Sequence, residues 1–319
     1  MTARIAILDD YQRVAESMAD WASLGEDVEV TFFHDHLADP DQLVARLTPI
    51  DIIGIMRERT PFPASLLERL PNLRLLITTG RRNASIDLAA AQRLGVTVCG
   101  TGAPGHATAE LAMALMLTLA RKLPTETASM RQGGWQVGLG RDLHGATLGL
   151  VGLGRLGSRV ARTAQAFEMK VIAWSENLTD ERATEHGVRR VTKADLLKSA
   201  DFVSVHLQLS PRTRGLIGAA ELALMKPEAY LINTSRGPIV DQDALVDALR
   251  ANRIAGAALD VFDHEPLPPD DPLREVPNLL LTPHIGYVTR ETYAVFYREM
   301  VEGIAAFLAG RPLRVIVPK

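Results

Sequence analysis

The sequence predicts an α/β protein built from two doubly wound, parallel-sheet domains, and three observations predict it. Short apolar runs alternate with helix-period segments along almost the whole chain, which is the rhythm of βαβ units under helical cover. The rhythm breaks over the Gly-rich, polar stretch from Gln132 to Gly145 and restarts at Thr147. With 319 residues, the chain is long enough for two domains that each bury a core.

In chain order, "RIAIL" after Ala3, "VEVTF" from Val28, "DIIGI" from Asp51, "LRLLIT" from Leu73 and "GVTV" from Gly95 read as the strands of a first sheet. The turn "GAPG", Gly102 to Gly105, leads into a long apolar helix, "TAELAMALMLTLARKL" from Thr108. After the break come "TLGLVGLG" from Thr147, "KVIAW" from Lys170, "DFVSVHL" from Asp201, "AYLIN" from Ala229, "IAGAALDVF" from Ile254 and "NLLLTP" from Asn278. Those six strands make a complete nucleotide-binding sheet. A last helix from Thr289 to Gly310 ends in "LRVIV", for which a finished six-strand sheet has no room, so the tail is expected to return to the first domain. The expected organisation is an outer domain of residues 1–103 and 286–319 around an inner domain of residues 104–285.

Charge is nearly balanced, 35 Lys plus Arg against 38 Asp plus Glu, with no block of one sign. That argues against nucleic acid or an anionic membrane as the main partner. The start "MTARIAILDD" reads as a strand, and no apolar run approaches the ~20 residues of a membrane span; a soluble, cytoplasmic protein is expected. The single cysteine, Cys99, excludes an internal disulfide and a multi-cysteine metal site. It reads as core packing.

"LGLVGLGRLGSRVARTAQAF" places G-x-G-x-x-G at Gly152, Gly154 and Gly157, after an apolar strand and at the opening of a helix. In that context the first glycine permits the tight turn, the second lets a pyrophosphate approach the backbone and the third lets helix pack on strand. In "VIAWSENLT", Ser175 ends the next strand and Glu176 follows. Glu176 has two readings, an acceptor for the ribose hydroxyls that repels a 2′-phosphate, or a solvated loop charge; the first favours NAD over NADP, without excluding NADP.

Three later strands end in loops that carry chemistry. "LINTSRGPIVD" delivers Arg236, "ALDVFDHEPLP" delivers Asp260 and Glu265, and "LLLTPHIG" delivers His284. Carboxyl ends of strands line the ligand crevice of an open α/β sheet. Arginine, carboxylate and histidine form a working set for a keto acid: the guanidinium forks onto a carboxylate, the histidine gives a proton to a carbonyl, and the glutamate orients the ring.

With these motifs in this order, the whole chain resembles the D-isomer-specific 2-hydroxyacid dehydrogenase family. The resemblance implies two Rossmann-like domains, a flavodoxin-like outer one and an NAD-binding inner one, and a homodimer built on the nucleotide domain. It implies that Arg236 binds the substrate, that His284 is the acid/base with Glu265 as its partner, and that Asp260 contacts the carboxamide end of the nicotinamide. It also implies dinucleotide contacts from Arg155, Leu156, Leu207 and Thr234. Departures from the commonest family pattern are Tyr287 and Val288 after "TPHIG", Gln208 where proline is common, "PGHATAE" from Pro104, and "TTGRRNASID" from Thr78. The last keeps Gly80, on a loop whose amides receive the substrate carboxylate in the family, and adds Arg81 and Arg82 as candidate substrate contacts; these arginines have the alternative of facing solvent or pairing elsewhere. The expected function is NAD(H)-dependent interconversion of a 2-keto acid and a D-2-hydroxy acid. The alternative is a dinucleotide-sensing regulatory protein of the same fold, separable by NADH oxidation against a panel of keto acids.

Overall fold

The computed structural model describes residues 2–318 and divides into two compact units, Met1–Pro104 with Val288–Lys319, and Gly105–Tyr287.

In the first unit, β1 (Ala3–Ile7), β2 (Val28–Phe32), β3 (Ile52–Ile55), β4 (Leu75–Thr78) and β5 (Thr97–Gly100) form a parallel sheet in the order β2-β1-β3-β4-β5. That order is flavodoxin-like. β3 and β4 are buried at every position, which is why "IIGI" and "LLIT" are apolar on both faces. The helix Pro40–Leu47 starts where it does because Asp39 accepts from the Asp41 and Gln42 amides and Pro40 occupies the first turn. The helix Arg290–Leu308, capped by Thr289, brings the tail back to this unit. There "LRVIV" adds a single antiparallel bridge, Val315 to Cys99, and not a full strand. Cys99 is buried, and that burial pushes its thiol pKa up to about 11.

In the second unit, β6 (Thr147–Val151), β7 (Lys170–Trp174), β8 (Arg189–Arg190), β9 (Phe202–Val205), β10 (Tyr230–Asn233), β11 (Gly256–Leu259) and β12 (Leu279–Leu281) form one parallel sheet, ordered β12-β11-β10-β9-β6-β7-β8. The chain reverses its direction of growth between β6 and β9, so this unit's ligand crevice falls at the carboxyl ends of those two strands. The seventh strand, β8, is a correction to the six expected. It consists of two exposed arginines at the sheet edge, so no apolar run announces it. The long apolar helix also ends earlier than expected: it spans Ala107–Ala120, Lys122 turns left-handed at φ 50°, and a second helix, Leu123–Arg131, begins with Pro124 in its first turn. Ala112, Met113 and Met116 of the first helix pack in the same core as Leu148, Leu150 and Ile232, which explains its lack of a polar face. Among the described residues no helix is long and apolar enough to cross a membrane.

Candidate active site

The glycine loop follows β6. Gly152 has φ +108°, a conformation other residues rarely adopt, and a Cβ there would lie 2.8 Å from the His206 carbonyl oxygen. A Cβ on Gly157 would lie 2.1 Å from the Gly152 oxygen, so helix and turn close on each other only with glycine at this position. At Gly154 a Cβ would meet nothing within 4 Å. Gly154 caps the helix Arg155–Ala166 with no side-chain hydrogen bond. A helix N-terminus behind an unobstructed glycine has the donors, the positive dipole end and the room that a pyrophosphate requires. Arg155 is exposed and its guanidinium lies over Gly105, where a Cβ would come within 2.7 Å of Nη1. Leu156 is half-buried. Past β7, Ser175 is half-buried and Glu176 exposed.

The loops after β9 and β10 are tied together. Leu207 borders Gly152, and its carbonyl accepts a short hydrogen bond from the Ser235 hydroxyl. Asn233 is fully buried; its Oδ1 accepts from the Ser235 amide at 3.0 Å and its Nδ2 donates to the Arg236 carbonyl at 3.0 Å, so it clasps the turn that presents Arg236. The Arg236 Nη1 donates to the Ser235 carbonyl at 2.7 Å. The Thr234 hydroxyl is buried without a hydrogen-bond partner among the described residues. A buried hydroxyl left alone is costly, and a polar ligand group at the carboxyl end of β10 meets that need. The open cradle at Gly154 and this hydroxyl both fit a bound dinucleotide.

Gly237 joins this loop to the next. It is buried, and a Cβ there would lie 2.2 Å from the Phe262 carbonyl carbon and 2.7 Å from the Asp263 nitrogen. Only a hydrogen at that position lets the Arg236 turn back onto the segment carrying Glu265. Glu265 is held from both ends: Oε1 accepts from the Phe262 amide at 2.9 Å, and Oε2 meets His284 Nδ1 at 2.5 Å. The imidazole is thereby fixed at Nδ1 and keeps Nε2 for other work.

His284 answers to Asp260. The histidine adopts a left-handed backbone, φ 51°, unusual for a side-chain-bearing residue and costing on the order of 1 kcal/mol. Asp260, fully buried, supports the turn on both sides: Oδ1 accepts from the Thr282 hydroxyl at 2.6 Å and the Ile285 amide at 2.8 Å, and Oδ2 from the Gly286 amide at 2.9 Å. Burial pushes the Asp260 pKa up, against the opposing pull of those donors and of His284. The Thr108 hydroxyl completes the turn by donating to the Gly286 carbonyl at 2.8 Å. Asp260, expected at the nicotinamide, uses both oxygens in holding the histidine turn. Thr108, Asn233, Ser235 and Thr282 are positioning residues that the sequence reading did not single out; for Asn233, Ser235 and Thr282 the available signal was a polar residue at a strand end, and for Thr108, in a helix, there was none.

In the first unit, the Gly80 amide donates to the Thr101 hydroxyl at 2.7 Å. Thr101 brings its hydroxyl within reach from the end of the neighbouring strand. Arg57 lies across Gly80, within 1.9 Å of where a Cβ would be, and Gly80 itself has φ +88°. Arg81 and Arg82 are both exposed.

By its topology and glycine loop, the unit from Gly105 to Tyr287 is a dinucleotide-binding domain of the kind found in dehydrogenases. Residues 113–286 match the description "D-isomer specific 2-hydroxyacid dehydrogenase, NAD binding domain". The chain is 38% identical over 283 residues to a glyoxylate reductase of Korarchaeum cryptofilum, covering 86% of this chain and 82% of the relative. It is 37% identical over 279 residues to a D-3-phosphoglycerate dehydrogenase of Archaeoglobus fulgidus, covering 86% of this chain but only 52% of that longer protein. The crystal structure of a phosphoglycerate oxidoreductase from Vibrio cholerae O395 superposes with a TM-score of 0.91 at 36% identity, covering 97% of this chain and all of the other. The chain belongs to the D-isomer-specific 2-hydroxyacid dehydrogenase family, whose members are NAD-dependent oxidoreductases.

Proposed function

We propose that this protein interconverts a small 2-keto acid and the corresponding D-2-hydroxy acid with NAD(H), using His284 as the acid/base. The observation that carries the reading is the 2.5 Å contact between His284 Nδ1 and Glu265, in the same unit as an open pyrophosphate cradle. A carboxylate on one ring nitrogen fixes the orientation of the imidazole, leaving Nε2 to give a proton to the carbonyl oxygen in reduction and take it back in oxidation. When bound, the nicotinamide supplies or accepts the hydride at the carbonyl carbon. Arg236 holds the substrate carboxylate through its paired N–H donors. The backbone amides at Gly154, Arg155 and Leu156, with Gly152, Gly157, Leu207 and Thr234, hold the dinucleotide. Exposed Glu176, past the half-buried Ser175, favours NAD over NADP by repelling a 2′-phosphate.

Glyoxylate heads the candidate substrates, since a glyoxylate reductase is matched over most of both lengths. Arg81 and Arg82 supply cationic groups for an anionic substrate. The test is NADH oxidation against glyoxylate, pyruvate, oxaloacetate and phosphohydroxypyruvate, repeated with NADPH. Turnover with none of them refutes the dehydrogenase reading and favours dinucleotide sensing.

The protein works inside the cell as a homodimer on this reading. Exposed Met130, Trp135, Val137 and Leu139, with relative exposures of 56%, 70%, 60% and 88%, are apolar side chains on the nucleotide-binding unit that a second copy would cover. Light scattering that reads a monomer at micromolar concentration refutes the dimer.

A further inference from the structure

We infer that Tyr287 is a positioning residue for His284, an inference that rests on the acid/base reading above. The two rings meet nearly edge to face, with centroids 5.4 Å apart and planes at 74°. That is the favoured geometry for a pair of aromatic rings. The contact matters because of what the Glu265 contact leaves open. A hydrogen bond at Nδ1 tolerates some movement, and small rotations about Cα–Cβ and Cβ–Cγ within that tolerance displace Nε2, the far corner of the ring, from its target. A second ring set across the imidazole removes that freedom.

The tyrosine is itself presented by a fixed backbone. Its neighbour Gly286 is buried, donates its amide to Asp260 and accepts at its carbonyl from Thr108. A Cβ on Gly286 would come within 3.0 Å of Asp260 Oδ2 and 3.2 Å of Thr108 Cγ2, so the backbone leading into Tyr287 has little room to shift. Asp260 and Thr108 thus set the Gly286 peptide, Gly286 sets Tyr287, and Tyr287 sets the second coordinate of His284. An aromatic side chain three residues after the histidine achieves this through its ring edge and face; a small residue there has nothing to place across the imidazole.

The test is steady-state reduction of glyoxylate by NADH in Tyr287→Ala, Tyr287→Phe and Tyr287→Leu, with the NADH Kd measured by fluorescence and folding checked by thermal melting. Tyr287→Ala should lower kcat by roughly threefold to tenfold, the range of an aromatic pair, with the NADH Kd unchanged. Tyr287→Phe should restore the parent kcat, and Tyr287→Leu, which fills space without a ring, should follow alanine. In a His284→Ala background, Tyr287→Ala should cause no further loss, because there is no ring left to orient. Parent-like kcat in Tyr287→Ala, a loss in Tyr287→Phe equal to that in Tyr287→Ala, or the same factor lost again in the His284→Ala background would each overturn the inference. Full turnover in His284→Ala alone overturns the acid/base reading instead, so the two failures are distinguishable.

Discussion

Gly237→Ala is a substitution of one methyl group, on a backbone with ordinary negative φ, yet it should disable the site. The added Cβ would stand 2.2 Å from the Phe262 carbonyl carbon, 2.4 Å from its oxygen and 2.7 Å from the Asp263 nitrogen, where ordinary contact begins at 3.4 Å. All three atoms are backbone, so no flexible side-chain end can move aside. One of the two loops has to retreat by about an ångström, and each carries a functional group: Arg236 precedes Gly237, and the Phe262 amide holds Glu265 at 2.9 Å. Overpacking of this kind costs roughly 1–3 kcal/mol of stability, while an ångström of misplacement at a reacting group costs about 10²-fold in rate. The expected result is therefore uneven: kcat for glyoxylate reduction should fall about a hundredfold in a protein that still melts cooperatively and still binds NADH through the glycine loop after β6, with at most a several-fold loss from Thr234 on the shifted loop. Turnover within a few-fold of the parent would refute the argument that Gly237 sets the spacing between the arginine and glutamate loops.

Other consequences follow from the same geometry. Gly154→Ala should leave the melting temperature unchanged and weaken NADH binding, because its Cβ would meet no protein atom yet would occupy the space before the helix amides. Gly157→Ala should destabilise the fold itself, because its Cβ falls 2.1 Å from the Gly152 oxygen; thermal melts and NADH titration of both variants check this, and equal behaviour would count against the cradle. Glu176→Arg should shift kcat/KM toward NADPH, and a parent that already prefers NADPH would remove the role given to Glu176. Burial pushes the His206 pKa from 6.5 down to about 4. The unfolded chain therefore takes up a proton there before the folded one does, and stability falls as pH drops from 6.5 toward 4. Urea unfolding should show roughly 2 kcal/mol of loss between pH 7 and pH 5 from this residue, absent in His206→Gln; identical pH slopes would contradict it.

Much of the molecule was legible because its signals are local. Parallel strands buried on both faces read as apolar runs, the glycine motif sits between a strand and a helix, and Arg236, Glu265 and His284 stand in strand-end loops. What was not legible depends on partners distant in sequence. Thr108 reaches Gly286 across 178 residues and Ser235 reaches Leu207 across 28; neither pairing leaves a spacing pattern in the chain. Asp260 and Gly80 show the same limit in another form: residue type marks them as candidate ligand contacts, but the bonds they make within the protein, three donors on the carboxylate and a threonine hydroxyl on the amide, come from partners that no spacing reveals. The edge strand at Arg189–Arg190 was hidden because a strand of two exposed arginines has no apolar face to betray it.

The role of His284 is tested most directly by single-turnover reduction of glyoxylate in His284→Ala, with the NADH Kd measured on the same preparation. Loss of a positioned general acid predicts a rate ~10²–10⁴-fold below the parent with NADH binding intact, since the glycine loop follows β6 and His284 follows β12. A variant that reduces glyoxylate at the parent rate would show that the proton comes from another group, and would contradict the account at its centre.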